Sequence, residues 1–424
     1  MFFNNDPLLT PADRRVWCGA VVFPPPPGAG PVNPPAFALN VSLTSDPGAG
    51  WQKFYIPLPA CEMPPVTMAP DSYWHIDSFN LAVESDFVYL NAIARDPYPT
   101  PKPYRNVTYI LSKSSLLSGQ VNIVGKVFEP PLHLPPALMD DLFLGVEDTL
   151  AVRYTYDDSP QYYVTMRAAE TPQTHVDLGH MLYFALPGDP CVPPGPADPA
   201  PIMRLPLPLP APYLEPENID QPQLFDPEPS FLNPFDARAW NAVYRDGSLW
   251  FCHHLTKPEA PARVVVRWYE VAMNDWGLPG GGTPVLVQWG EIDPQAMPPT
   301  PNPGERRHAF FPSIAVGPGG HMAICYNRSS NYTEWVSIRT AARTPTDPPG
   351  QLTSHATLKT SQWGWGIGPG VERWGDYSDI VPDEGEGADP CTFWTHHEYV
   401  YEPPPFSGDQ RWATWVAPWS ACDP

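Results

Sequence analysis

Apolar and polar positions alternate over short stretches of the chain and do not recur at helical spacing. Runs rich in aromatic and β-branched residues, most of them ending in turn residues, read as strands. Phe87–Leu90, Val107–Ile110, Val264–Tyr269 and Val285–Trp289 are examples. No stretch combines helical spacing, an N-cap and enough length for a helix; the nearest, Pro136 to Leu144, is short.

One arrangement recurs. A polar or aromatic lead-in precedes a short apolar strand, a tight turn rich in Asp and Gly, and an aromatic strand. It occupies Ser78–Leu90, Trp240–Phe251 and Pro312–Ile324, with looser copies at 6–22, 143–154 and 376–394. The Asp-Gly and Pro-Gly-Gly turns supply the positive φ angles that hairpins need. A second pair of strands follows each hairpin, so the repeating unit is a four-stranded sheet. Repetition of such sheets is the mark of a β-propeller. The pattern predicts an all-β fold, one β-propeller domain over residues 1–424 made of four-stranded blades with long Pro-rich loops. Six blades fit, over roughly 6–62, 71–130, 138–212, 236–293, 307–362 and 373–420, with seven as the alternative.

Composition sharpens this reading. Of 424 residues 63 are proline, about 15 % against an average of about 5 %. Proline inside a helix removes a hydrogen bond and clashes with the preceding turn, which excludes a helical protein. Hydrophobic residues make up 42 % and charged residues only 17 %, so the chain has material for a core and disorder does not follow. The prolines come in blocks at 24–35, 97–103, 130–136, 190–212, 294–303 and 403–405. They are expected between strands, where they stiffen loops and blunt sheet edges, and the longest block is read as a long loop.

The net charge of −22 argues against nucleic acid, which needs basic patches to replace counterions, and against anionic membrane surfaces. It leaves solubility, divalent cations and basic partners. No apolar run reaches 18 residues, so no transmembrane segment is expected. The first residues lack a basic region followed by an apolar stretch, so no signal peptide is visible. Seven cysteines include no C-x-x-C pair. Cys252 and Cys325 sit in apolar runs and read as buried hydrophobes; Cys61, Cys191 and Cys422 lie in Pro-rich loops and read as disulfide candidates. Asn40, Asn106, Asn327 and Asn331 begin Asn-x-Ser/Thr sites, which matter only in a secretory context.

The segment Thr44–Trp51 fits S/T-x-D-x-G-x-x-W, and in this it resembles the Asp-box of sialidase-like (BNR-repeat) β-propellers. Asp46 can bond the turn backbone, a glycine supplies the reversal and Trp51 packs between sheets. The chain also resembles largely uncharacterised bacterial secreted propeller proteins, through Arg373-Trp374-Gly375-Asp376-Tyr377-Ser378, then Thr392-Phe393-Trp394, then Glu398-Tyr399. The resemblance implies an exported propeller, hence an extracytoplasmic, secreted or cell-surface location, and implies no activity. The chain departs from that pattern in its proline insertions and in the longer turn Asp383–Gly387.

In a propeller the lead-in segments converge at the mouth of a central channel. Trp74, His75, Asp77, Arg238 and Asn241 are therefore candidate ligand-binding residues, joined by Trp363 and Trp365, which could cover a sheet or stack on a sugar. Arg307, His308, Arg373, Asp376 and Glu398 are the candidate catalytic set. Such a funnel could bind an acidic sugar; it could equally knit neighbouring sheets together. Sialidases resemble one another in an arginine triad and an N-terminal F/Y-R-I-P motif, and the motif is absent here. Asp379, Asp383, Glu384, Glu386 and Asp389 form an acidic cluster that is either a solvated loop or a structural calcium site; no other cofactor is expected. The adjacent pairs His253-His254 and His396-His397 point to opposite faces of a strand, so neither pair can ligate one metal. The expectation is a non-enzymatic recognition or scaffold module that binds a glycan or protein through its channel mouth or Pro-rich rim. The alternatives are a sialidase-like glycoside hydrolase and a structural subunit of a surface assembly.

Overall fold

The structure is a computed structural model. It describes residues 2–4, 15–22, 36–44, 47–57, 75–83, 87–95, 105–129, 147–151, 154–155, 162–167, 172–181, 202–222, 230–257, 259, 262–296, 302–366, 370–375, 378–383, 387–402 and 411–422. The chain divides into two compact units, one of residues 1–163 and 178–205, the other of 164–177 and 206–424.

The first unit opens with β1 (Phe2–Asn4), β2 (Arg15–Val22), β3 (Ala36–Ser42) and β4 (Trp51–Pro57), antiparallel neighbours in chain order. Next come β5 (His75–Val83), β6 (Phe87–Arg95), β7 (Arg105–Ser112) and β8 (Ile123–Glu129), again paired in chain order. Between β7 and β8 lies α1 (Lys113–Leu117), started by Ser112, whose Oγ accepts from Ser115 N at 3.3 Å. Alternate residues of these strands turn inward, as a period of two requires. Trp17, Phe37, Leu39, Leu81, Val88, Leu90, Tyr109 and Leu111 make the core, with Phe37 meeting Tyr109 edge-on at 5.5 Å. The Thr44–Trp51 segment joins β3 to β4, and Leu43 N donates to Gly50 O at 3.0 Å across it; Ser45 and Asp46 lie outside the described residues.

Then follow β9 (Glu147–Ala151), β10 (Tyr154–Thr155), β11 (Tyr162–Arg167), β12 (Gln173–Met181) and β13 (Ile202–Tyr213). The last corrects an expectation. The proline block at 190–212 predicts a long loop, yet Ile202–Tyr213 is a strand on the edge of its sheet. Pro206, Pro208, Pro210 and Pro212 take alternate, exposed positions, while Leu207 and Tyr213 are buried. With proline at every second residue, the missing N–H groups all fall on one edge, and the other edge remains free to pair.

After β13, within the second unit, come β14 (Ile219–Asp220) and β15 (Ser230–Asn233). Two four-stranded antiparallel meanders follow. One is β16 (Asn241–Arg245), β17 (Ser248–Lys257), β18 (Arg263–Ala272) and β19 (Val285–Ile292). The other is β20 (Arg307–Val316), β21 (Met322–Ser330), β22 (Ser337–Arg343) and β23 (Ser354–Thr360). The unit ends with β24 (Gly370–Arg373), β25 (Asp379–Pro382), β26 (Thr392–Glu402) and β27 (Arg411–Ser420). Strand β24 runs parallel to β15, and β25, β26 and β27 pair antiparallel in order.

The fold is thus all-β, built of small antiparallel sheets of the propeller-blade kind, as the hairpin repeats predict. The turn Asp246-Gly247 has φ of +51° and +76°, the mirror-image turn that suits strand twist. Strands β17, β18 and β20 are buried along nearly their whole length, including Phe251, Trp268, Tyr269 and Phe310. Each such side chain contributes roughly 1.5–3 kcal/mol on leaving water. Cys252 and Cys325 are buried, as expected, and neither is in a disulfide; burial pushes the Cys325 thiol up to about 12. Cys422 does form a disulfide, with Cys391, which was not singled out; Cys61 and Cys191 lie outside the described residues. The Pro136–Leu144 segment also lies outside them.

Candidate functional site

Two aromatic residues of the second unit have positive φ, Phe235 at +64° and Phe311 at +48°. A bulky side chain in that region is a steric outlier, and such strain persists only where surroundings over-determine it. Here they do. Phe235 N donates to Asn233 Oδ1 at 2.8 Å. Phe311 sits in a bulge of β20, where the register with β21 shifts between Phe310 and Ser313. Its N–H donates to His254 Nδ1 at 3.0 Å, and its carbonyl accepts from His397 Nε2 at 3.1 Å and from Ser378 Oγ at 3.3 Å.

Both imidazoles are held as single neutral tautomers. His254 Nε2–H donates to Pro234 O at 2.8 Å, and His397 Nδ1 accepts from Glu398 N at 2.9 Å. Burial drives the His254 pKa down to about 4 and that of His397 to about 3, so neither carries charge at neutral pH. Their strand neighbours face the other way, as alternation requires. His253 bonds Ala237 O and Tyr269 Oη, and burial with Arg267 nearby lowers its pKa as well.

Over this frame lies a ladder of cations and rings. The Arg373 guanidinium stands 5.1 Å from the Phe235 ring, Phe235 lies 6.2 Å from Trp240, and Arg238 stands 5.3 Å above Trp240. Phe235 and Trp240 are half-buried and Arg373 is exposed. Arg238 is fixed by a two-pronged bond to Asp236, at 2.7 and 2.6 Å. Burial pushes the Asp236 carboxyl up, but Arg238 overrides it and holds the pKa below the usual range. His254 stacks on Trp240 at 5.4 Å, and Phe311 meets it edge-on at 5.0 Å. Gly375, with φ of +58°, lies against Phe311, whose ring would stand 3.1 Å from an added Cβ. Trp365 N and O both bond the Gln221 amide, its Nε1 donates to Arg373 O at 2.7 Å, and its ring meets Trp374 edge-on. Trp363 stacks on Trp335 at 6.1 Å, and both Trp363 and Trp365 pack on the same apolar cluster as Phe235 and Trp240.

The structure therefore brings together Arg238, Arg373, Trp363 and Trp365. Others of the expected set sit elsewhere. His308 is fully buried; its Nε2 donates to Asp220 at 2.9 Å and its Nδ1 accepts from Val264 N at 3.1 Å. Arg306 binds the same Asp220 carboxylate at 2.8 Å, so this trio knits β14 to β18 and β20. Arg307 faces Glu305 at 3.7 Å. Asn241 is buried and ties β16 to β20 by donating to Ser313 Oγ at 2.7 Å. Glu398 is half-buried beside His397 on β26. Asp376 and Trp74 lie outside the described residues, as do the side chains of His75 and Asp77. Of the acidic cluster, Asp379 accepts from Ile380 N, Asp383 from Trp394 Nε1 and Asp389 from Cys391 N, at 3.0, 3.1 and 3.0 Å; Glu384 and Glu386 lie outside the described residues. Phe235 and Trp240, at the centre of the ladder, were not among the expected site residues.

No family model and no curated protein matches the chain. Among solved structures it is similar to a mutant of Trypanosoma rangeli sialidase displaying trans-sialidase activity, at 11 % identity and a TM-score of 0.37. That alignment covers 98 % of this chain and 53 % of the other, so the chain spans about half its length. It is also similar to a glycoside hydrolase, at 10 % identity and a TM-score of 0.34, over 83 % of this chain and 89 % of that one.

Proposed function

We propose that the chain is an extracytoplasmic recognition module whose Arg373–Phe235–Trp240–Arg238 ladder binds a carboxylate-bearing glycan. The observation that carries this reading is the ladder itself, two half-buried rings between two guanidinium groups, held on strained backbone. The apolar faces of a pyranose pack on aromatic rings, and a guanidinium fork matches a carboxylate in plane and spacing. Arg238 is preorganised by Asp236, which lowers the entropy lost on binding. The Cys391–Cys422 disulfide fits an oxidising compartment.

The test is titration calorimetry of the full chain against matched neutral and carboxylate-bearing oligosaccharides. Acidic members should bind. Arg373→Ala, at an exposed position, should weaken them by about tenfold, the share expected of one charge-assisted contact of about 1.4 kcal/mol. Equal affinity for neutral and acidic members, unchanged in Arg373→Ala, would refute the reading. Release of a reducing sugar during the titration would convert the module into a hydrolase.

A further inference from the structure

The disulfide has a neighbour that the ladder does not involve. One ring nitrogen of His321 and the sulfurs of Cys391 and Cys422 all lie within 4.8 Å of one another. The three residues come from two structural elements that pack together. His321 closes the turn between β20 and β21, where Gly317 N donates to His321 O at 2.7 Å. Cys391 and Cys422 flank the last pairing of β26 with β27, Thr392 with Ser420. Ala315 and Ala323, beside the turn, share one apolar cluster with Phe393 and Ala421, beside the cysteines.

Two features suit this trio to a metal ion. The sulfurs are held together by the strand pair as well as by their own bond, since Ala421 N donates to Cys391 O at 2.7 Å and Cys391 N to Asp389 Oδ1 at 3.0 Å. The thiols would therefore stay adjacent once the bond is opened. The imidazole is already oriented, because Nδ1–H donates to Pro318 O at 3.3 Å and leaves the lone pair on Nε2. A backbone carbonyl on the second ring nitrogen is the usual support of a metal-ligating histidine.

We propose that His321, Cys391 and Cys422 form a thiol-gated site for zinc or a similarly thiophilic divalent cation. A small dithiol reductant opens the gate. Its thiolate attacks one sulfur of the disulfide, a mixed disulfide forms, and the second thiol of the reductant displaces it. Two electrons and two protons end on Cys391 and Cys422, and the reductant leaves as its own cyclic disulfide. Zinc then displaces the two thiol protons, binds both thiolates and the neutral imidazole, and keeps water in the fourth tetrahedral position. While the disulfide is intact the sulfurs have no charge to offer, and the site stays closed. The Cys422 side of the bond is exposed, which gives a reductant its approach.

The experiment adds zinc alone to the full chain, oxidised and then reduced with a phosphine, and follows binding by competition with a chromophoric chelator. Tryptophan fluorescence reports the fold in parallel. Reduced protein should take up a zinc equivalent that oxidised protein does not. His321→Ala should weaken that uptake by at least about 100-fold, since even outer supports of a ligand are worth 10–100-fold. Cobalt in place of zinc should give a thiolate charge-transfer band in the reduced wild type that His321→Ala alters. Equal zinc affinity in reduced wild type and His321→Ala would overturn the proposal, and so would uptake by the oxidised protein alone. Loss of the native fluorescence on reduction would overturn it too, because the strand pair would then not be holding the thiols.

Discussion

Acid should destabilise this protein well above the range where carboxylates protonate. His253, His254 and His397 are fully buried, and each spends its ring nitrogens on neutral hydrogen bonds. Their folded pKa values are depressed, to about 4 for His254, about 3 for His397 and well below the ordinary value for His253. In the unfolded chain each titrates near pH 6.5. Between the folded and unfolded values the unfolded state binds more protons, so stability falls as pH falls through that window. Above about pH 6.5 all three are neutral in both states and contribute no pH dependence. At pH 5 each unfolded imidazole has gained about 2 kcal/mol from protonation, so His254 and His397 together give about 4 kcal/mol and His253 adds in the same direction. Total stabilities are typically about 5–15 kcal/mol, which makes this a large fraction. Urea unfolding followed by tryptophan fluorescence at pH 7.5 and pH 5.0 measures it. His397→Gln keeps a donor for Phe311 O and removes one titration, so it should shrink the pH effect by about a third. Equal urea midpoints at the two pH values would refute the reasoning, as would a pH effect that His397→Gln leaves intact.

Three further substitutions test the packing. Gly375→Ala places a Cβ at positive φ against the Phe311 ring and should cost about 1–3 kcal/mol, read as a lower thermal midpoint. Trp268→Ala empties a fully buried site in β18 and should cost about 3–5 kcal/mol in urea unfolding. Arg263→Ala removes the two-pronged bond to Asp293 and should cost about 2–3 kcal/mol at neutral pH. Burial raises the Asp293 pKa and Arg263 outweighs that to hold it below the usual value. The bond's contribution is therefore present above about pH 4 and fades in wild type as pH falls below it, so the two proteins should converge in strong acid.

The strands were legible because aromatic and β-branched residues alternate with polar ones; Val264–Tyr269 and Val285–Trp289 became β18 and β19. Strand β13 was not, because proline breaks every propensity rule except that of an edge, and an edge is a property of neighbours. The candidate site was half legible. Arg238 and Arg373 stand out as charged residues of lead-in segments, and Trp365 as an aromatic residue of a glycine-spaced loop. Phe235 reads in sequence as ordinary core, and no glycine announces its positive φ or that of Phe311. His308 looked like a channel residue, since alternation tells that Arg307 and His308 face apart but not which of them faces solvent.

Strand β13 ends as a one-sided interface. Its outward edge carries carbonyl oxygens at Pro206, Pro208, Pro210 and Pro212 and no N–H at those positions. A docking β-strand needs to give and receive alternately, and along this edge its own carbonyls would be left without donors, at about 1–3 kcal/mol each. The edge therefore turns away strand partners while welcoming groups that only give. Arg267 already does so, donating Nη1 to Pro212 O at 3.1 Å. Along this edge a strand would meet acceptors and no donors, a consequence of one imino acid repeated at every second place.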